Sequence, residues 1–489
     1  MKVELSIPKT ITDNAKTLQN KGFLAYLVGG CVRDILMGRN PRDWDLATNA
    51  NPEEIVTTFP KSFYENKFGT VTVVNEDETD ESLKNVEITP FRLEGNYEDF
   101  RHPSELKFGQ KLEEDLARRD FTLNALAYDP SIGELVDLYG GLKDIKDKVV
   151  RAVGVPGERF QEDPLRLLRA VRLATELGFT IEAKTLEAAQ TKANLLVKIS
   201  KERIRDEFTK IIMSANPAEG LTMCAKIGLL PFIIPELEEG FDMKQNKSHI
   251  YSVWEHIIRT VQHSADKGFS LHVRLAALLH DIAKPKTRRV HPETQDFTFY
   301  GHEVVGERMA KKILSELKFP VKTIETVTKL VRNHMFFSDI EKITLSAVRR
   351  IIANVGEDLV QDLVKVRICD RIGMGRPKEE PYRLRKYEAM IDEAMRAPTS
   401  VKMLKIDGQR LMEISRETPG PKLGLTLHAL LEEVLDKPEL NTVEYLEKRA
   451  LELIAMPIED LNKLGESGKE KRDEAEAVEI KKIHKKHGV

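Results

Sequence analysis

Two aspartates one residue apart, Asp43 and Asp45 in RNPRDWDLAT, are the residues of this chain best placed to do chemistry. On a strand, side chains at i and i+2 share a face, so both carboxylates point one way while Trp44 and Leu46 pack the other. Two oxygen ligands on one face suit Mg²⁺, which completes its shell with water and phosphate oxygens. Two such ions can activate an attacking hydroxyl and stabilise a leaving pyrophosphate. Upstream, Gly29-Gly30 ends LAYLVGG and permits close approach of a triphosphate to the backbone. The amides opening the next helix, with Gly30 at its start and Arg33 beside it, can neutralise the phosphate charge. Glu87 in NVEITPF is a candidate third carboxylate. A bare Gly-Gly is most often a turn, and a bare Asp-x-Asp most often solvated surface. Their joint occurrence, with VRD and Gly38 between them, points to a nucleotide-handling site.

Those side chains need a strand, a turn and a helix in succession. LAYLVGG (24–30) is a short apolar run ending in glycines, which predicts a buried strand running into a turn. CVRDILMG predicts a short helix stopped by Gly38. GTVTVVN (69–75) and NVEITPF (85–91) are β-branched and strand-like. From about residue 158 the pattern is helical almost throughout. EDPLRLLRAVRLATELGF carries apolar residues at helical spacing, with Asp163-Pro164 as cap and first residue. Two prolines in LTMCAKIGLLPFIIPEL (221–237) mark a boundary near 235. GRPKEEPYR (375–383) is a polar linker candidate, and a charged tail begins near 465. No internal repeat is evident.

The 489 residues predict about three domains. Hydrophobic residues make up 41%, too many for a disordered chain. No apolar stretch approaches the ~20 residues that cross a bilayer, and the start lacks a signal-peptide core, which argues against a membrane span and against secretion. Cys31, Cys224 and Cys369 are far apart and odd in number, which fits a reducing cytoplasm better than a disulfide scaffold. A net charge of −3 excludes a uniformly basic nucleic-acid binder but leaves room for a local basic groove.

The segment LVGGCVRDILMGRNPRDWDLAT resembles the signature of the DNA polymerase β nucleotidyltransferase superfamily, and more narrowly that of class II tRNA nucleotidyltransferases, the CCA-adding enzymes. RRDFTLNALAYD (118–129), VDLYGGLKDIKDKVVRAVG (136–154), EDPLRLLRAVRLATELGF (162–179) and KERIRDEF (201–208) resemble the family's further motifs in order. The resemblance implies an α+β protein: a small mixed-sheet head (1–150), a helical neck that recognises the nucleotide (151–235), an HD domain (236–375) and a helical tail that binds tRNA (376–489). It implies template-independent addition of CCA to tRNA from CTP and ATP, with Mg²⁺ on Asp43 and Asp45. Arg119 would contact the nucleotide sugar or phosphate, supported by Asp120 and Asn124. Asp163 and Arg166, with Arg169 and Arg172 further along the helix, would read the base. An Asp accepts from the exocyclic amine that C and A share, and an Arg donates to the ring edge beside it.

Alternatives remain within the superfamily: an A-adding or CC-adding enzyme, or a bacterial poly(A) polymerase. KFGTVTV (67–73) and the segment FRLEGNYEDFRHPSEL (91–106), which resembles an intact flexible loop, favour full CCA addition. His256, His280-Asp281 and Asp370 resemble the ligand set of an HD domain, with His302 and His334 as additional candidates. Imidazole plus carboxylate ligation suits Mg²⁺, Mn²⁺, Ni²⁺ or Fe²⁺, and a metal-bound hydroxide there would hydrolyse phosphoesters. PGPKLG (419–424), with Lys422, and the basic KKIHKKHGV terminus are candidate phosphate contacts. No obligate protein partner is read from the sequence.

Overall fold

The computed structural model describes residues 1–65, 69–92, 108–245, 250–335, 343–396 and 398–461. It divides into two compact units, Met1–Pro235 and Glu236–Val489.

The first unit is built on a seven-stranded sheet: β1 (Ala25–Val28), β2 (Trp44–Thr48), β3 (Ser62–Glu65), β4 (Thr70–Val74), β5 (Asn85–Pro90), β6 (Leu126–Asp129) and β7 (Glu134–Asp137). Their order is β3-β4-β5-β2-β1-β6-β7. The β2–β5 pair is parallel and all other pairs are antiparallel, so the sheet is mixed. The alternation expected for β2 holds. Trp44 and Leu46 are buried in a core with Leu27, Val71, Val86 and Ile88, whereas Asp43 is exposed and Asp45 half-buried. On the opposite face Val28 and Ala47 pack with Phe91, Leu112 and Leu116. β3, an edge strand with Phe63 and Tyr64 exposed, carries none of the apolar continuity that marks the other strands.

Beyond the sheet the unit is helical. Pro156–Glu162 and Arg166–Leu177 are separate helices. The second starts later than the Asp163-Pro164 pair predicts, because its entry is a tighter turn: the Arg166 N–H donates to the Asp163 carbonyl at 3.0 Å and the Leu167 N–H to Pro164 at 3.1 Å. Asp163 still caps, its Oδ1 accepting from the Leu165 N–H at 3.0 Å. The remainder is helical as expected, with two short ladders added to it. Val149–Val150 pairs with Thr180–Ile181, and Arg289–Val290 with Phe297–Thr298, each as a two-residue ladder.

The second unit is a helical assembly. Val253–Asp266, Leu271–Leu279, His302–Glu316, Val321–Asn333 and Glu357–Gly373 bring buried Val261, Leu275, Leu278, Leu330 and Val331 inward. Gly373 permits a close crossing there: a Cβ would lie 2.0 Å from Thr260 Oγ1 and 2.9 Å from the His256 carbonyl oxygen. Further helices follow at Tyr382–Ala394, Gly408–Ser415, Pro421–Asp436 and Val443–Ile454, the last three around a core of their own that includes Leu411, Leu430, Val434, Leu446 and Leu453.

Candidate active site and metal centre

Parallel pairing of β2 and β5 places Asp45 directly beside Glu87. Asp43 stands one residue before β2, and its charge and that of Glu87 both act on Asp45, so three carboxylates gather at this end of the two central strands. The physical consequence is a raised Asp45 carboxyl, pushed up to about 7 by burial first and then by the charges of Asp43 and Glu87, while Arg119 opposes the shift. A site that holds anions against their own repulsion fits a divalent cation, and the donor set is oxygen throughout.

The turn after β1 closes the other side. Gly29 has φ +78° and ψ −135°, a region essentially reserved for glycine. A Cβ on Gly29 would stand 2.9 Å from Arg119 Nη1 and 3.7 Å from Asp45 Oδ2. Gly30, by contrast, opens the Gly30–Leu36 helix in ordinary backbone geometry, with Arg33 Nη2 at 3.6 Å from its own virtual Cβ. Of the two glycines, Gly29 is the one whose backbone conformation and surroundings penalise a side chain.

Arg33 and Arg119 converge on one asparagine. Arg33 Nη1 donates to Asn124 Oδ1 at 2.7 Å and Arg119 Nη1 to the Asn124 carbonyl at 3.5 Å. Asn124 Nδ2 donates in turn to Asp120 Oδ1 at 3.2 Å, and Arg169 Nε to Asp120 Oδ2 at 2.7 Å. Burial raises the Asp120 carboxyl, but Arg169 and Arg166 outweigh it and hold the group far below the usual carboxylate range. A chain of charge-assisted hydrogen bonds therefore runs from Arg33 through Asn124 and Asp120 to Arg169.

The base-reading candidates are distributed unevenly. Asp163 Oδ2 is paired with Arg203 Nη2 at 2.8 Å, a partner from KERIRDEF that sequence reasoning left without a role. Arg169 is the most exposed of the three helix arginines, its side chain 34% accessible. Arg166 and Arg172 are committed to protein acceptors. Arg166 donates to the Arg118 carbonyl at 2.9 Å, the Arg159 carbonyl at 3.2 Å and Glu162 Oε2 at 2.7 Å. Arg172 pairs with Glu207 at 2.6 Å and Glu176 at 2.8 Å. The spiral of the helix explains the division: positions 166 and 172 turn toward packed neighbours, 169 toward Asp120. The segment 93–106 and Lys67-Phe68 lie outside the described residues, as does KKIHKKHGV. Lys422 lies in the first turn of Pro421–Asp436, 3.4 Å from Glu417 Oε1.

In the second unit all six expected ligands meet. His256, His280 and Asp370 form one buried group of donors within 4.8 Å of one another, and Asp281, His302 and His334 another. Asp281 joins them. Its Oδ2 lies 3.0 Å from His256 Nε2 and 3.2 Å from His280 Nε2, its Oδ1 3.3 Å from His302 Nε2 and 3.9 Å from His334 Nε2. The Nδ1 atoms of His280, His302 and His334 each face a carbonyl three residues back in their own chain, at 2.9, 2.7 and 2.7 Å. That bond fixes Nδ1 as the donor and turns the Nε2 lone pair inward, as a metal ligand requires. His256 and His280 Nε2 are only 2.9 Å apart, so either a proton or a cation must stand between them. Burial lowers His280, but Asp281 and Asp370 more than offset it and push the ring up to about 10; burial and the neighbouring His302 and His280 push His334 down to about 3. Lys284 Nζ, 2.6 Å from Asp281 Oδ2 and 2.6 Å from Gln245 Oε1, completes the wall.

Residues 25–151 match the Poly A polymerase head domain, 178–241 the probable RNA and SrmB-binding site of polymerase A, and 253–375 the HD domain. Head and site together define a nucleotidyltransferase-type protein joined to an HD domain. The chain is 34% identical over 425 residues to the CC-adding tRNA nucleotidyltransferase of Thermus thermophilus, covering 83% of this chain and 89% of that one. It is 31% identical over 444 residues to the CCA-adding enzyme of Leuconostoc mesenteroides, covering 89% and 94%. This chain belongs to the tRNA nucleotidyltransferase family, which takes in the CCA-adding enzymes. Against the CCA-adding enzyme of Lactobacillus delbrueckii subsp. bulgaricus it is 47% identical over 213 residues, which span 43% of this chain and about half, 52%, of that relative. The crystal structure of the Bacillus stearothermophilus CCA-adding enzyme in complex with CTP is similar at a TM-score of 0.66 and 26% identity, covering 91% of this chain and 98% of the other. A CCA-adding enzyme solved with ATP shares the fold at a TM-score of 0.57 and 21% identity, covering 91% and 93%.

Proposed function

We propose that this protein adds C, C and A to the 3′ end of tRNA, using CTP and ATP and no template, and releases pyrophosphate. The observation that carries this reading is the acidic row Asp45–Glu87 set against the Gly29 turn and Arg119, in a chain that aligns along 94% of a CCA-adding enzyme. Asp43 and Asp45 would hold Mg²⁺, which supplies the Lewis acidity needed at the α-phosphate. The glycine turn leaves room for the triphosphate, and Gly30 amides with Arg33 and Arg119 balance its charge. Asp163 accepts from the exocyclic amine of the incoming base, with Arg169 beside it. Arg166 and Arg172, like Arg169 on Asp120, reach a base only by giving up the protein acceptors they now hold. The tRNA 3′-hydroxyl attacks the α-phosphate, and the bond to the β-phosphate bridging oxygen breaks. We place this activity in the cytoplasm, in keeping with three free, buried cysteines.

The six donors around Asp281 fit one or more divalent ions, and phosphoester hydrolysis is the chemistry such a centre supplies. A second reading of the head is favoured by one observation: the Thermus thermophilus relative that aligns over 83% of this chain is a CC-adding enzyme. One experiment separates the two. The protein is incubated with tRNA lacking its 3′ end and with CTP and ATP, singly and together, and the product is sequenced. CCA supports full addition. Termination after CC with both nucleotides present selects the second reading, and a single A or a long A tail overturns both.

A further inference from the structure

Asp115, in the Leu112–Ala117 helix, is a buried carboxylate with no part in the reading above. Its side chain is 1% exposed, yet it takes four donors. Oδ2 accepts from Arg119 Nη2 at 2.9 Å and Nε at 3.2 Å. Oδ1 accepts from Arg118 Nη2 and from the Arg92 backbone N–H at 3.5 Å. A carboxylate that engages both Nε and Nη2 fixes the plane and the roll of a guanidinium. The third nitrogen, Nη1, is then delivered to one place, the Asn124 carbonyl beside Gly29.

The frame around this contact is itself pinned. Arg159 Nη1 donates to the Ala117 carbonyl at 3.2 Å and Arg166 Nη2 to the Arg118 carbonyl at 2.9 Å. These bonds hold the backbone at residues 117 and 118, and the Asp115 side chain then sets the aim of Arg119. Burial raises the Asp115 carboxyl, but Arg119 and Arg118 outweigh it and hold the group below the ordinary carboxylate range, so the anion persists at neutral pH.

We propose that Asp115 is a positioning residue for nucleotide binding, holding the Arg119 guanidinium so that Nη1 faces the Gly29 turn next to Asp45. The inference rests on the reading that Arg119 contacts the nucleotide. Steady-state kinetics on the full chain, with CTP varied against tRNA lacking its 3′ end, test both. Asp115→Asn keeps the shape and removes the charge. It raises KM for CTP about tenfold, the worth of one weakened charge-assisted hydrogen bond, and leaves KM for tRNA unchanged. Arg119→Ala raises KM for CTP at least as far. The double variant is no worse than Arg119→Ala alone, because the carboxylate acts through that guanidinium. A double variant in which the two effects multiply overturns the proposal while the Arg119 reading stands. Wild-type KM in Arg119→Ala removes the reading itself, and the proposal with it. Arg119→Lys retains the charge but cannot present Nε and Nη2 together. It reports even if Asp115→Asn fails to fold: a KM rise like that expected for Asp115→Asn supports the proposal, and a wild-type value overturns it.

Discussion

Substituting Gly29 by alanine separates what the glycine does for the fold from what it does for the site. The backbone there has φ +78° and ψ −135°, which costs an alanine about 2 kcal/mol. For a unit the size of Met1–Pro235 that corresponds to a fall in melting temperature of roughly 4–8 °C. The new Cβ would also sit 2.9 Å from Arg119 Nη1 and 3.7 Å from Asp45 Oδ2. The second contact is ordinary van der Waals distance, so the aspartate need not move. The first is not, and Arg119 can retreat only by disturbing its bonds to Asp115 and to the Asn124 carbonyl. Losing one charge-assisted hydrogen bond is worth about 1.5–3 kcal/mol, or roughly 10- to 100-fold in kcat/KM. Thermal melts and initial rates of CMP incorporation on the same preparation read the two effects. Gly30→Ala is the control for the fold: its Cβ meets only Arg33 Nη2 at 3.6 Å, in helical geometry, and the melt stays near wild type. A Gly29→Ala protein that melts and incorporates like wild type would refute the reasoning.

Four further outcomes are expected. Asp43→Ala or Asp45→Ala abolishes incorporation while tRNA binding in a filter assay survives; strong incorporation by either would dismiss the metal assignment. Asp163→Ala loses discrimination against UTP and GTP, scored by misincorporation of labelled nucleotides, whereas unchanged discrimination leaves Asp163 only its cap and its pair with Arg203. The Asp45 carboxyl is raised from 3.8 to about 7, so the metal-free folded chain binds that proton more tightly than the unfolded chain. Its stabilising contribution is full below the unfolded value and is lost as pH rises through about 7. In chelator, melts of wild type relative to Asp45→Asn should therefore decline from acid to neutral pH, and a flat difference contradicts the burial argument. Asp281→Ala removes a carboxylate that faces both donor groups, so in a chain already carrying Asp43→Ala and Asp45→Ala the divalent metal content measured by mass spectrometry should fall to background; content unchanged by Asp281→Ala would separate Asp281 from the metal.

Much of the site was legible because its signals are local. Strand periodicity alone turns Asp45 away from apolar Trp44 and Leu46 on either side of it, which mark the buried face, and Asp43 stands one residue before the strand. The glycine pair, the helix after it and the adjacent His280-Asp281 are likewise short-range. The start of Arg166–Leu177 was misplaced because Asp163-Pro164 is equally good chemistry for a tight turn. β3 went unnoticed because an edge strand with exposed Phe63 and Tyr64 has little apolar pattern to betray it.

Partners far apart in the chain are another matter. That Arg203 meets Asp163, that Arg172 meets Glu207 and that Asp115 grips Arg119 beside Gly29 depend on how helices cross and which rotamers survive packing. Residue types by themselves could nominate five arginines for the nucleotide; packing gave each of them a protein acceptor and left Arg169 the most accessible of the helix three. The residues written along the chain determined which chemistry was possible, since carboxylates, imidazoles and glycines carry their properties wherever they stand. Only the folded backbone decided which of them share a site, because a hydrogen bond or an ion pair is a matter of a few ångströms that no spacing in sequence specifies.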